Sequence, residues 1–391
     1  MIASRAFACL CGITITIGVA REARAAGRDG ECTPERFEKR DERVCAPPPS
    51  PHDPSLVTGY DPDRGAYIGT RDGRWELNPY GMVQLRNDST WSAGEVRQTT
   101  FTLHSAKAIF HGHIYDPTLT YHFQLNAGEG RVVAEDVYLR WDPSAELGLF
   151  VGQIEVPFNR QHVTLEAYQE LIDRSAVDAR FSLQRDIGVA AYVSDRAHAV
   201  EWTSGVWNGA RQDAPNDDAS YQLTTRLAWN PFGPIAFREA DLADSHHPRL
   251  SLAVAGAYNP KRIVTDAAGR ATTTRRIAQD VIEATLRWRG LSLSTEGHAR
   301  RLSDDLGRSR VDYGTFFQAG LFLVPRHVEL IVRVGAIAGD LARGEVAREG
   351  TIGVSGYLHE HRLKLQADAS SLEAFAAPTV HRARAQVQFF F

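Results

Sequence analysis

Beyond its first 25 residues the sequence has no uninterrupted apolar run of about 18 residues, which argues against helical membrane spans. Lysine is nearly absent: Lys39, Lys107, Lys261 and Lys364 stand among 44 basic residues, so positive charge rests on arginine. The signatures of common soluble catalysts are missing as well. There is no G-x-S-x-G elbow, no H-E-x-x-H and no G-x-x-x-x-G-K-S/T phosphate loop. Nothing in the pattern asks for a cofactor, a resident metal or a nucleic-acid partner. Two short histidine pairs, His111-Gly112-His113 and His359-Glu360-His361, lack the third and fourth ligands that a metal needs.

What is present begins with an export signal. Arg5 precedes an apolar run from Ala6 to Ala20, and Ala23-Arg24-Ala25 supplies an A-x-A cleavage site, so residues 1–25 read as a signal peptide. Cys9 and Cys11 leave with it. Cys32 and Cys45 remain, an even pair that in an exported chain reads as a disulfide across a polar loop. They lie in an extension over residues 26–74 whose Pro47-Pro48-Pro49, Pro51 and Pro54 make a stiff linker.

From residue 75 to 391 the texture is uniform. In Leu119–Asn126 apolar Leu119, Tyr121, Phe123 and Leu125 alternate with Thr120, His122, Gln124 and Asn126. Val137, Leu139 and Trp141 repeat the pattern. Strict period-two alternation is the mark of a strand whose faces meet different solvents. Sixteen such runs follow one another, the first over 78–86 and the last over 381–391. Their connections alternate in length. Tyr115-Asp116-Pro117, Arg289-Gly290 and Val324-Pro325-Arg326 are compact, whereas 156–185, 208–220 and 260–277 are long. Short turns at one rim and long loops at the other predict an all-β fold, a transmembrane up-and-down antiparallel β-barrel of about 16 strands. Two connections break the rule: 126–131 is short where a long one is due, and 230–249 is long where a short one is due.

Several pieces resemble the phosphate-selective porin O/P family: Asp136-Val137-Tyr138-Leu139, Val151-Gly152-Gln153-Ile154, Pro157-Phe158, Asp173-Arg174-Ser175, Arg185-Asp186-Ile187-Gly188-Val189 and Gly205-Val206-Trp207-Asn208-Gly209. The resemblance implies a sixteen-stranded homotrimeric porin of the bacterial outer membrane, surrounded by lipid and passing small anionic or neutral hydrophilic solutes. The closing Phe389-Phe390-Phe391 looks like the terminal phenylalanine signal of such barrels, which implies delivery to the barrel assembly machinery through Phe391. Family members of the phosphate type line the pore with many lysines, whereas this chain offers only Lys107 and Lys364 within strands.

If apolar positions face lipid, the alternate ones face the lumen. Alternation then places Arg86, Lys107, His111, His113, His122, Arg140, Arg226, Arg287, Arg289, His298, Arg300, Arg333, Lys364, Arg382 and Arg384 inward. Acidic inward positions are fewer: Asp136, Glu201, Glu283, Glu296, Glu329 and Asp368. The balance predicts mild anion preference, with an oxyanion substrate open because arginine holds phosphate and carboxylate in a fork. Connection 156–185 is the candidate constriction. Val163, Ala167 and Leu171 recur at helical spacing, so an amphipathic helix is expected there, carrying Glu166, Glu170, Asp173 and Arg174. Two other readings stand beside the channel: a barrel-fold envelope enzyme of phospholipase type, and a structural anchor for the N-terminal extension.

Overall fold

The computed structural model describes residues 53–61, 65–216, 218–265, 271–339, 345–375 and 377–391. The signal peptide, residues 26–52 and the Cys32–Cys45 pair lie outside the described residues. A hairpin opens the described chain, β1 (Leu56–Asp61) and β2 (Gly65–Thr70). Alternation had marked no strand there. The hairpin adds to the sheet through Ile68↔Leu77 and Gly69↔Glu76.

The sixteen strands of the barrel follow. They are β3 (Trp75–Ser92), β4 (Glu95–Ile114), β5 (Asp116–Asn126), β6 (Val133–Trp141), β7 (Leu147–Glu155), β8 (Arg185–Ser194), β9 (Val200–Trp207) and β10 (Gln222–Trp229). The second half comprises β11 (Arg249–Thr265), β12 (Ala271–Trp288), β13 (Leu291–Asp304), β14 (Ser309–Val324), β15 (Val328–Ala338), β16 (Val346–His359), β17 (Leu363–Glu373) and β18 (Val380–Phe390). Each pairs antiparallel with the next, and β18 returns to β3 over Val380↔Ser92 to Phe390↔Met82, closing the ring.

Burial is inverted relative to a soluble protein. In β10 the pattern of Gln222–Trp229 is strictly alternating, with Gln222, Thr224, Arg226 and Ala228 buried and Leu223, Leu227 and Trp229 exposed. The same holds in β14, where Tyr313, Phe317 and Leu321 point out and Asp312 and Gln318 point in. Polar side chains fill the inside and apolar ones clothe the outside, as a strand between water and hydrocarbon requires.

Turn chemistry accounts for the short rim. Arg289 and Gly290 both have positive φ (50° and 75°), the conformation a two-residue primed turn demands. In turn 195–199, Asp195 accepts from the amides of Val200 (2.8 Å) and Ala197 (3.2 Å). The Val200 amide, aided by that of Ala197, holds the Asp195 carboxyl below its usual range. At the seam, Gly81 and Phe391 exchange backbone hydrogen bonds of 2.6 and 2.9 Å. A β-carbon on Gly81 would lie 2.6 Å from the Phe391 ring, so glycine is what lets that ring lie on β3.

Ile282, central in β12 and 64% exposed, serves as a test of which face meets lipid. Ile282→Arg is expected to lower folding stability in bilayers by about 2–4 kcal/mol, measured by denaturant titration into lipid vesicles. An unchanged midpoint would place that face in water.

Candidate functional site

The longest connection, 156–184 between β7 and β8, runs inside the barrel along its wall. It contains α1 (Arg160–Val163), a 3-10 turn at Glu166–Tyr168 and α2 (Ala176–Phe181), whose N-terminus is capped by the Ser175 hydroxyl accepting from the Asp178 amide at 3.0 Å. The single amphipathic helix expected through Val163, Ala167 and Leu171 is not formed. Its backbone groups are instead paired by the wall. Lys364 Nζ donates to the carbonyls of Ala167 (3.0 Å) and Gln169 (2.7 Å), and Ser355 and Gln366 donate to that of Glu170 (2.5 and 2.9 Å). Arg333 donates to the carbonyls of Asp173 (2.9 Å) and Arg174 (3.2 Å). Wall carboxylates take the amides: Glu283 that of Arg160 (2.8 Å), Glu296 that of Gln161 (2.7 Å), Asp368 that of Ile172 (3.3 Å) and Glu349 that of Ala176 (2.6 Å). An enclosed backbone must find partners somewhere, and here long inward side chains outcompete the helical ladder.

Apolar anchors complete the fit. Leu171 lies against Gly353, where a β-carbon would come within 2.5 Å of it, and Phe181 fills the bare face of Gly314 beside Phe316.

The structure brings several predicted inward residues onto this loop and pairs others with wall carboxylates beside it. Lys107 lies 2.7 Å from both Glu166 and Glu135. Asp173 gathers Arg86 (3.0 Å), Arg384 and, at 4.0 Å, Arg382, while Arg384 also forks onto Asp368 at 2.8 Å. Arg333 meets Glu349 at 2.6 Å, Arg226 meets Glu283, and His298 meets Glu296 at 2.9 Å while stacking on Phe181. Arg174 staples the loop to itself through the carbonyls of Gln161, His162 and Thr164.

Other predicted residues sit away from it. His111 and His122 begin an aromatic row through Tyr138 to Phe150, over which Arg140 lies while pairing with Asp142. His113 contacts the Gly73 carbonyl at 2.8 Å near the short rim. Arg289 does not follow Arg287 inward. The strand ends at Trp288, and the positive φ of the turn leaves Arg289 exposed over the Trp288 ring, 5.4 Å from its centre.

The irregularly long connection 230–248 also enters the barrel, from the opposite rim. Arg160 donates to the carbonyls of Ile235 (2.9 Å) and Ala236 (2.5 Å), and Arg287 to that of Ala236 (2.8 Å). Glu239 accepts from the Glu170 amide at 2.8 Å, its own amide donates to the Tyr168 carbonyl at 3.1 Å, and Arg238 lies over the Tyr168 ring. The two insertions therefore meet inside. A cleft with a void of ≈ 390 Å³, open solvent included, lies between them and the wall. Among the described residues no cluster of three histidine, cysteine, aspartate or glutamate side chains could hold a metal.

Residues 94–236 match the family model described as phosphate-selective porin O and P. Over that segment the chain resembles the porins of this family. Its barrel is similar to the anion-selective porin from Comamonas acidovorans, at 12% identity and TM-score 0.57 over 81% of this chain and 100% of that one. It is also similar to the trimer form of in-vitro folded OmpT from Vibrio cholerae (10% identity, TM-score 0.54, 81% and 99%). A third similar structure is the outer membrane channel DcaP of Acinetobacter baumannii (11% identity, TM-score 0.53, 83% and 99%). No curated protein matches the sequence. Family and fold together make the chain a channel-type barrel of the bacterial outer membrane.

Charge-led reading missed several residues of this interior. Arg160, Arg180, Arg185 and Glu239 sit on connections or at strand ends, where alternation says nothing. Arg185, for one, forks onto Asp136 at 3.0 and 2.9 Å. Neutral inward glutamines were passed over as well, although Gln84–Gln388 (2.9 Å) and Gln386–Gln366 (3.1 Å) tie the wall across strands. Their signal was their place in the alternation.

Lys364→Met removes both bonds to the loop carbonyls, a local loss of about 1.5–3 kcal/mol for each charge-assisted bond. Open-channel current noise in planar bilayers is expected to rise, with the barrel still folded by gel mobility. Noise equal to that of the native protein would show the loop held without Lys364.

Proposed function

We propose that the barrel is a water-filled channel for passive diffusion of small hydrophilic solutes, with mild anion preference, working as a homotrimer. One observation carries the preference. Arg180 of α2, Arg300 of β13 and Arg310 of β14 all converge on the single carboxylate of Asp312, at 3.0, 2.9 and 3.3 Å. Three guanidinium groups on one carboxylate leave a formal +2, and the Arg180 and Arg310 side chains are 44% and 45% exposed. Arg86, Arg382 and Arg384 stand against Asp88, Asp173 and Asp368, and Arg333 against Glu349, while the buried Arg160 and Arg287 are held on the carbonyls of Ile235 and Ala236. Exposed excess charge thus stands at the loop end of β13 and β14, where an entering anion would meet it. The pore-lining role of the inward residues named above, and the constriction role of Glu166, Glu170, Asp173 and Arg174, belong to this reading. The anion-selective porin of similar fold supports the preference, and the trimer form of the Vibrio cholerae protein supports the assembly. Guanidinium forks suit oxyanions, so phosphate is expected to compete with chloride.

Reversal potentials across a planar bilayer with a potassium chloride gradient test this. The native channel should favour chloride, and Arg180→Ser with Arg310→Ser should move it toward neutrality. At ~4 Å in water a unit charge is worth ~1 kcal/mol, or about a fivefold change in relative permeability. Cation preference in the native protein would overturn the proposal.

A further inference from the structure

Three acidic side chains from three separate elements meet where the two insertions touch: Glu170 of connection 156–184, Glu239 of connection 230–248 and Glu329 of β15. Gln318 Nε2 donates to Glu170 Oε2 (2.8 Å) and to Glu239 Oε2 (3.0 Å), so these two carboxylates share one donor. A β-carbon on Gly320 would sit 2.5 Å from Ser292 Oγ, 2.7 Å from Glu329 Oε1 and 2.8 Å from Glu170 Oε1. Oxygens of three residues thus crowd the bare face of that glycine. Ser292 Oγ donates its hydrogen to Glu170 Oε1, and Tyr357 donates to Glu329 Oε2 at 2.6 Å. Glu329 Oε1 is fully enclosed and has no hydrogen-bond partner among the described residues.

Further charged and titratable groups stand around the cluster, and Lys364 sets its positive charge against all three carboxylates. Lys364 spends its donors on the Ala167 and Gln169 carbonyls. Arg238 lies over the Tyr168 ring, and His361 packs edge-on against Tyr168 and Tyr357. Farther along the cleft, Glu283 faces Arg226 and the Arg160 amide, and Glu296 faces His298 and the Gln161 amide. Two enclosed carboxylates this close cannot both stay ionised without repulsion, so an oxygen lacking a donor marks the place of a missing hydrogen.

We propose that Glu170 and Glu329 form a proton-binding site whose single shared proton locks connection 156–184 to the wall and, through Glu239, to connection 230–248. Losing that proton puts like charges on the loop, the inserted turn and the wall, and drives the two insertions apart. Burial, with the Glu239 carboxylate beside it, pushes the Glu170 carboxyl up to about 7. A raised value means the locked form is complete at acid pH and is lost as pH rises.

The inference rests on the channel reading, and one experiment separates the two. Single-channel currents of the full-length protein are recorded in planar bilayers from pH 5 to 9, for the native chain, Glu329→Gln and Glu170→Gln. The native channel should shift to larger conductance as pH rises from 5 to 9. Either amide variant should stay in the narrow state with a flat profile, because an amide keeps a donor at every pH. Glu170→Gln lies on the loop rather than in a strand, so it tests the lock even where Glu329→Gln fails to fold. A native profile in Glu170→Gln, or a flat profile in the native protein, would overturn the lock while leaving the channel standing. No conductance at any pH would overturn the channel reading itself.

Discussion

A peptide backbone folded inside a barrel keeps every amide and carbonyl it had in water, and each needs a partner. The rest of this interior depends on how that requirement is met. Connection 156–184 has two helical pieces of four and six residues and one 3-10 turn, too short to satisfy their own ends. Long polar side chains from the wall supply the missing partners: Lys364, Gln366 and Arg333 for carbonyls, Glu283, Glu296, Asp368 and Glu349 for amides. These residues shape the constriction by holding a backbone, and their charge is a secondary consequence.

That division changes what the charges mean. A cation fixed on a facing carboxylate adds little field along the lumen. Lys107 between Glu135 and Glu166 illustrates this, as does Arg333 on Glu349. Only where guanidinium groups outnumber carboxylates, as around Asp312, does a net field survive. The tally of inward arginines and acids therefore overstates the electrostatic effect, and their pairing gives the truer measure. Salt screens exposed charges beyond ~8–10 Å, so such a field acts close to its source.

The barrel was largely legible in the sequence because its pattern is local. A strand such as Gln222–Trp229 declares both of its faces by itself, and Arg226, Arg287, Arg333 and Arg384 point inward as alternation requires. Arg289 failed because the strand ends at Trp288 and a positive φ turns the next residue out of the alternation. The helix through Val163 and Leu171 failed for a different reason. Its spacing is real and Ala167 and Leu171 are buried, but the partners that unwind it, Lys364 and Asp368, lie some two hundred positions away. The odd length of 230–249 was visible. Its destination was not, since a run with no periodicity carries no record of what it packs against. The β1–β2 hairpin was missed because six-residue strands leave too few alternations to read.

Almost all of this sheet joins chain neighbours, hairpin by hairpin. The exception is the seam where β18 meets β3, with Gln84 and Gln388 bonded across 304 positions. Local hairpins zip at modest entropic cost, whereas bringing ends so distant together carries the full loop-closure term. Sealing the cylinder is therefore the pairing of greatest loop-closure cost in the sheet. Until it happens the two rims of an open, curved ribbon expose unpaired edges to any other ribbon nearby.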